Sequence, residues 1–186
     1  MLSSATQALT DWTTAPPDLL GIRSGFLAHL DAAGEGALYK GLLPAHLTAS
    51  CFVFSPDRER VLLCFHRKGR FWVQFGGHLE RTDASLAAAG LREAREESGI
   101  TTLELLTDDV VDVDRHSLAS AFGLCQEHLD VGFIAIADDE AAVTVSDESD
   151  DVRWWPVGAL PAASPPGLAR RIERARQAAL GVGTRP

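Results

Sequence analysis

The sequence predicts an α/β protein, an α+β sandwich in which a mixed sheet lies between helices, with a helical extension at the N-terminus. Three observations carry this reading. Apolar residues recur at helical spacing before residue 46 and in two later segments. Short runs rich in β-branched and aromatic residues, bounded by turn residues, lie between and after them. One helix falls early among these strands and one late, the arrangement of helices packed on the faces of a sheet.

In the extension, expected over 1–46, Pro16-Pro17 opens a segment in which Leu19, Leu20, Ile22, Phe26, Leu27 and Leu30 fall at helical spacing, and Gly34, Gly36 and Gly41 break it. One or two helices are expected there, used as a cap on the main domain or at a subunit contact, so a homodimer is open. The main domain is expected over 47–186. Residues 47–54, 60–66 and 71–75 read as strands joined by tight turns at Ser55-Pro56-Asp57 and Lys68-Gly69. Residues 84–98, with five charged residues in fifteen, read as a helix. Strands are expected at 103–112, around 119–125, at 129–137 and at 151–155. Residues 164–180, carrying Arg170, Arg171, Arg174 and Arg176, close the chain as an amphipathic helix.

Composition narrows the partners. Over 186 residues, 17 Lys and Arg face 26 Asp and Glu for a formal net charge of −9, and 46% of residues are hydrophobic, enough for one sizeable core. An acidic chain without a long basic run is poorly suited to sequence-independent nucleic-acid or anionic-membrane binding, so no stable nucleic-acid partner and no membrane are expected. No apolar run approaches the roughly 18–20 residues of a membrane span. The first residues lack the basic start, apolar run and cleavage site of a secretory signal, and the three cysteines have unrelated spacings, which together predict a cytoplasmic protein. Cys51 and Cys64 lie in apolar runs and read as small buried hydrophobes. If the ligand is a phosphate ester, a cation must mediate between two negative partners.

The chemistry concentrates in Gly76-Gly77-His78-Leu79-Glu80-Arg81-Thr82-Asp83 and, after eight residues, Arg92-Glu93-Ala94-Arg95-Glu96-Glu97-Ser98-Gly99-Ile100. At about 100° per residue, Glu93, Glu97 and Glu96 share an arc of roughly 100° within one turn. Ala87, Gly90, Leu91 and Ala94 fill the neighbouring arc, which suits packing on a sheet. Like charges at i,i+4 and acids near a helix C-terminus are each unfavourable by a few tenths of a kcal/mol. Local stability does not select this cluster; a divalent cation with hard oxygen ligands would. A solvated acidic face paired with Arg92 and Arg95 is the alternative for such a run taken alone.

The double glycine followed by Arg-Glu-x-x-Glu-Glu-x-Gly-aliphatic resembles the signature of the Nudix hydrolase family, and the wider strand pattern resembles that family from about Leu47 to Leu160. Two departures stand out. Asp83 takes the place of the family's first glutamate, and eight residues rather than seven separate it from Arg92. The extra residue is expected in the 81–85 loop, because within the helix it would rotate Glu93 by about 100°. Asp83 is then expected as an N-cap. The resemblance implies a mixed sheet between helices and hydrolysis of a diphosphate in a nucleoside diphosphate linked to another group. Its cofactor would be Mg²⁺ or Mn²⁺, held by Glu93, Glu96, Glu97 and the Gly76 carbonyl. Arg92 would orient Glu93, and Glu93, Glu96 or Glu148, from a late acidic loop, would serve the proton transfer.

Gly77, His78 and Arg70 are candidates for meeting the substrate phosphates, with loop packing and a solvated hairpin tip as the alternatives for the last two. His29, His46, His116 and His128 lack metal-ligand spacing and read as structural. Markers of substrate subclass are missing: His116 stands where ADP-ribose-cleaving members carry a proline, and the single tyrosine, Tyr39, lies upstream. Two other classes share the fold, a catalytically silent nucleotide-sensing module and an isoprenyl diphosphate isomerase. The first would lack the helix glutamates. The second often uses a cysteine, for which no cysteine here has a fitting context.

Overall fold

The computed structural model describes residues 1–118, 125–138, 140–146 and 149–182. In chain order these form α1 (Leu2–Asp11), α2 (Leu20–Ala33), β1 (Ala45–Phe54), β2 (Arg60–His66), β3 (Phe71–Val73), β4 (Phe75–His78), α3 (Leu86–Ser98), β5 (Glu104–Ser117), β6 (Glu127–Ile136), β7 (Ser149–Pro156) and α4 (Leu168–Gly181). The seven strands make one mixed sheet ordered β3-β2-β1-β6-β5, with β4 also on β1 and β7 on β2.

Strand β1 is the spine. All of it but Ala45 is buried, and it pairs in parallel with β6 along its whole length. Its other edge is shared: Thr48–Cys51 face β4 and Val53–Phe54 face β2, both antiparallel. A strand covered on both faces must be apolar throughout, and alternation then assigns each side chain to one layer. Leu47, Ala49, Cys51 and Val53 point to the side of α3, where Leu86, Ala87 and Ala94 meet them. Phe52 and Phe54 point the other way, onto Leu168, Ile172 and Ala175 of α4. Helices therefore cover both faces, as the sequence predicts.

The N-terminal helices pack on their own domain. Leu9, Trp12, Phe26 and Leu30 are buried in one cluster with Leu47, Leu86 and Val113, while Leu20 of the expected stripe stays exposed. Helix α1 was not expected as a separate element; its buried contribution is only Ala5 and Leu9, too sparse to register as a period. The strand expected at 71–75 is two. Phe71–Val73 pairs with β2, and from Phe75 the chain crosses to the free half of β1. Strand β5 runs on to Ser117, past the expected 112, through Val113 and four polar residues that pair with β6. The strand expected around 119–125 falls on residues 119–124, outside those described, with Cys125 just ahead of β6. Trp154 and Trp155 join opposite layers, as alternation along a strand requires, and both are half-buried. Among the described residues no helix is long and apolar enough to cross a membrane.

Helix α4 is fastened by charge as well as by apolar contact. Arg171 is buried; its Nε donates to Asp112 at 2.5 Å and its Nη2 to Asp130 at 2.6 Å. Thr48 and Ser50 of β1 add hydroxyl bonds to Asp130 at 2.9 and 2.7 Å. Burial opposes the ionisation of both acids. For Asp130 the guanidinium and hydroxyls outweigh it and hold the carboxyl below its usual range. For Asp112 burial prevails, and its pKa rises to about 6. Removing one partner from a buried ion pair strands the others, at a cost of about 3–5 kcal/mol. We predict that Arg171→Met lowers unfolding stability by about that amount at pH 7.5 in urea titrations, despite conserving the apolar stem.

Candidate active site

Helix α3 begins at Ser85, whose Oγ accepts from the Ala88 amide at 3.1 Å, and ends at Gly99, which is left-handed at φ +73° and donates to Arg95 O. It is α-helical from Leu86 to Ser98 with no π turn, so the residue that lengthens the spacing from Gly77 to Arg92 is taken up before it. Its small-residue stripe lies hard against the sheet. A Cβ on Gly90 would stand 3.1 Å from Ser50 O and 3.3 Å from the Phe133 ring, so the helix approaches β1 and β6 more closely than a larger residue allows.

That approach delivers Glu93 to β4. A Cβ on Gly77 would fall 2.7 Å from both Cδ and Oε1 of Glu93, so the carboxylate rests on the bare Cα of the second glycine. Arg92 fixes it there. Arg92 Nη1 donates to Glu93 Oε1 at 2.9 Å and to Glu96 Oε2 at 3.2 Å, and Nη2 donates to the His78 carbonyl at 3.0 Å. The same guanidinium takes Asp83 in a two-point contact, Nε to Oδ1 at 2.9 Å and Nη2 to Oδ2 at 3.0 Å. Asp83 is therefore not the expected N-cap, a role that belongs to Ser85. It closes the loop instead, accepting from the Glu80 amide at 2.7 Å. Burial opposes its charge, but Arg92 and that amide hold its carboxyl below the usual range.

The three glutamates differ in setting. Glu96 is open to solvent, with its side chain 60% exposed. Glu97 is buried, and its Oε2 accepts from Cys64 Sγ at 3.3 Å. Cys64 is itself buried; burial and the adjacent Glu97 charge push its thiol well above the usual range, which leaves it no nucleophile. Gly76 pairs with Ser50 and Gly77 with Ala49, so both lie on the strand edge beside the helix arc.

The other sequence candidates separate. His78 stands opposite Thr48 in the β1–β4 pair, one residue on from Gly77, so its ring is on the α4 side of the sheet, away from the glutamates. It packs against His46 and His128, with ring centroids 5.2 and 5.1 Å away, so of the two readings the packing one describes it and the phosphate-facing one does not. Alternation along the strand is the reason. Arg70 sits at the β2–β3 hairpin tip, its Nη1 2.5 Å from Asp150 Oδ2, and Arg67 reaches the same carboxylate at 2.8 Å. Strand β7 runs along β2 below this tip, Cys64 pairing with Val152 and His66 with Ser149, and the Arg70 guanidinium lies over the Phe65 ring. Glu148 lies outside the described residues. Sequence reading missed the Arg92–Asp83 contact, although Asp and Arg at this separation across a turn were visible, and it missed the grouping of His46, His128 and Cys125 around His78.

A family model described as the NUDIX domain matches residues 44–175. The chain belongs to the NUDIX domain family. It is accordingly a Nudix-type hydrolase. The fold of this NUDIX chain is shared with solved structures at low identity. A C. elegans Ap4A hydrolase in a binary complex has a TM-score of 0.60 at 16% identity, covering 73% of this chain and 98% of that one. The E. coli dihydroneopterin triphosphate pyrophosphohydrolase gives 0.58 at 19% identity, covering 74% and 96%. The NUDIX domain of Shewanella oneidensis NrtR, complexed with ADP ribose, gives 0.53 at 21% identity, covering 71% and 86%. No curated protein matches the chain. We predict that Gly77→Ala keeps the fold but displaces the Glu93 carboxylate by about 1 Å, lowering turnover on the order of 10²-fold, as a crystal structure and steady-state kinetics of the variant would show.

Proposed function

We propose that the protein is a divalent-metal-dependent pyrophosphohydrolase that cleaves the diphosphate of a nucleoside diphosphate linked to another group. The seating of the Glu93 carboxylate on Gly77 supports this most directly. A hard, negative oxygen donor thus stands against the backbone of the double glycine, whose Gly76 carbonyl would be a further oxygen ligand. Glu96 and Glu97 supply the further carboxylates of the arc. The donor set is all oxygen, which suits Mg²⁺ or Mn²⁺. When bound, such an ion neutralises charge on the diphosphate oxygens and lowers the pKa of a water.

The chain's own residues then have distinct tasks. Arg92 holds Glu93 in place while Asp83 anchors Arg92 to the loop, so the carboxylate is positioned before substrate arrives. Exposed Glu96, or Glu148 from the late acidic loop, takes the proton of the attacking water. Arg70, together with Arg67, would meet substrate phosphates by exchanging Asp150 for them. The substrates named for the similar structures, from Ap4A to dihydroneopterin triphosphate, share phosphoanhydrides and little else. We place the protein in the cytoplasm, where such nucleotides are abundant.

A panel of nucleoside triphosphates, dinucleoside polyphosphates, nucleotide sugars and ADP-ribose, assayed with Mg²⁺ and with Mn²⁺, tests the reading. Phosphate-bearing fragments should appear with at least one class and vanish when both cations are withheld, with the far-UV circular dichroism unchanged. Glu97→Gln should cost roughly 10²–10⁴ in rate. Undiminished turnover without the cations would exclude the metal role, and tight nucleotide binding with no product across the panel would make the protein a sensor instead.

A further inference from the structure

On the face of the sheet opposite the glutamates, three strands and the residue run leading into one of them bring four donor groups together. His46 of β1 and His128 of β6 stand directly opposite each other in the parallel pair. His78 ends β4 next to them, and Cys125 lies three residues before His128. The donor atoms of His46, His78, His128 and Cys125 all lie within 4.8 Å of one another. Cys125 Sγ is 3.5 Å from His46 Nε2 and 3.2 Å from His128 Nε2, and the three rings have centroids 5.1–5.3 Å apart. His78 Nε2 is buried without a hydrogen-bond partner. A buried polar atom rarely goes unsatisfied, and an absent ion is one of its regular explanations.

We propose that these four side chains form a closed zinc site of three imidazoles and one thiolate, separate from the glutamate site on the other face. Structural zinc is tetrahedral, with Zn–N about 2.0–2.1 Å and Zn–S about 2.3 Å, which sets neighbouring ligand atoms about 3.3–3.6 Å apart. The Sγ–N separation to His46, 3.5 Å, falls on that edge, and the one to His128, 3.2 Å, lies just inside it. Nitrogen and sulfur donors favour Zn²⁺ over the hard ions that carboxylates take, so the two faces sort metals by donor type.

Zinc binds Cys125 as a thiolate, so the Sγ proton passes to solvent as the metal–sulfur bond forms. Lys40 opposes the cation itself, and Asp130, next but one to His128, acts in the other direction. The ring of His116 lies 5.4 Å from that of His128 and borders the site. With four protein ligands there is no open position for chemistry. The metal instead ties β4 to β1 and β6, one residue from Gly77, and so holds from behind the strand on which Glu93 rests.

The test needs no turnover. Metal-free full-length protein, in saturating Mg²⁺ to occupy the glutamates, is titrated with Zn²⁺ and with Co²⁺. The expected result is one tight equivalent, tetrahedral Co²⁺ ligand-field bands with a sulfur-to-cobalt charge-transfer band, and a Tm raised by roughly 5–10 °C at a hundredfold excess over Kd. Cys125→Ser should abolish the charge-transfer band and weaken binding at least about tenfold, whereas Glu93→Gln should leave both untouched. Zinc-edge X-ray absorption of the unaltered protein reads the ligands without any variant, and a shell of three nitrogens and one sulfur is expected. A shell without sulfur, octahedral Co²⁺ lost in Glu93→Gln, or no uptake beyond the Mg²⁺-occupied sites would each overturn the proposal.

Discussion

The contact on which the site depends is that of α3 with the backbone of β1 and β4. Gly90 meets Ser50 O and Phe133, and three residues later the Glu93 carboxylate meets the Cα of Gly77. Interiors are packed to crystal density, so a helix cannot be drawn closer by one contact and held off by another. The small stripe of Ala87, Gly90 and Ala94 sets the helix–sheet distance. That distance then brings a carboxylate within reach of a strand backbone. The glutamate arc, read alone, is a repulsive surface feature; against the glycines it becomes a set of donors in a fixed place.

Arg92 shows how the chain tolerates that repulsion. One guanidinium spans Glu93, Glu96, Asp83 and the His78 carbonyl. The loop between β4 and α3 is thereby fastened to the helix it precedes, and Asp83 acts on the site only through this arginine. The arrangement accounts for an aspartate at this position: its shorter side chain lies at the end of a loop with one residue more, and both oxygens still meet the guanidinium.

Strand alternation divides the chemistry between two layers. Odd-numbered residues of β1 build the apolar bed under α3, while His46, Thr48 and Ser50 carry polar groups to the other side. There Asp130, Asp112 and Arg171 join the sheet to α4, and the histidines gather at the end of the same layer. A one-residue change of register in β4 would exchange the faces of Gly77 and His78 and disrupt both layers together.

Much of this was legible in the sequence. Apolar periodicity marked the strands and the two covering helices because burial on one or both faces leaves a period of its own. The glycine pair and the glutamate arc identified α3 as the chemical element because local stability does not favour them. What the sequence could not supply was direction and distance. Whether His78 faces the glutamates depends on which β1 residue it opposes, a pairing between positions thirty residues apart. His46, Cys125 and His128 have no ligand spacing because their proximity comes from the parallel β1–β6 ladder and not from the chain between them. The partner of Asp83 followed from the side chain of Arg92 folding back across a turn. Local pattern determined the elements and their chemistry; which groups meet was decided by strand register and helix approach, which exist only once the layers are assembled.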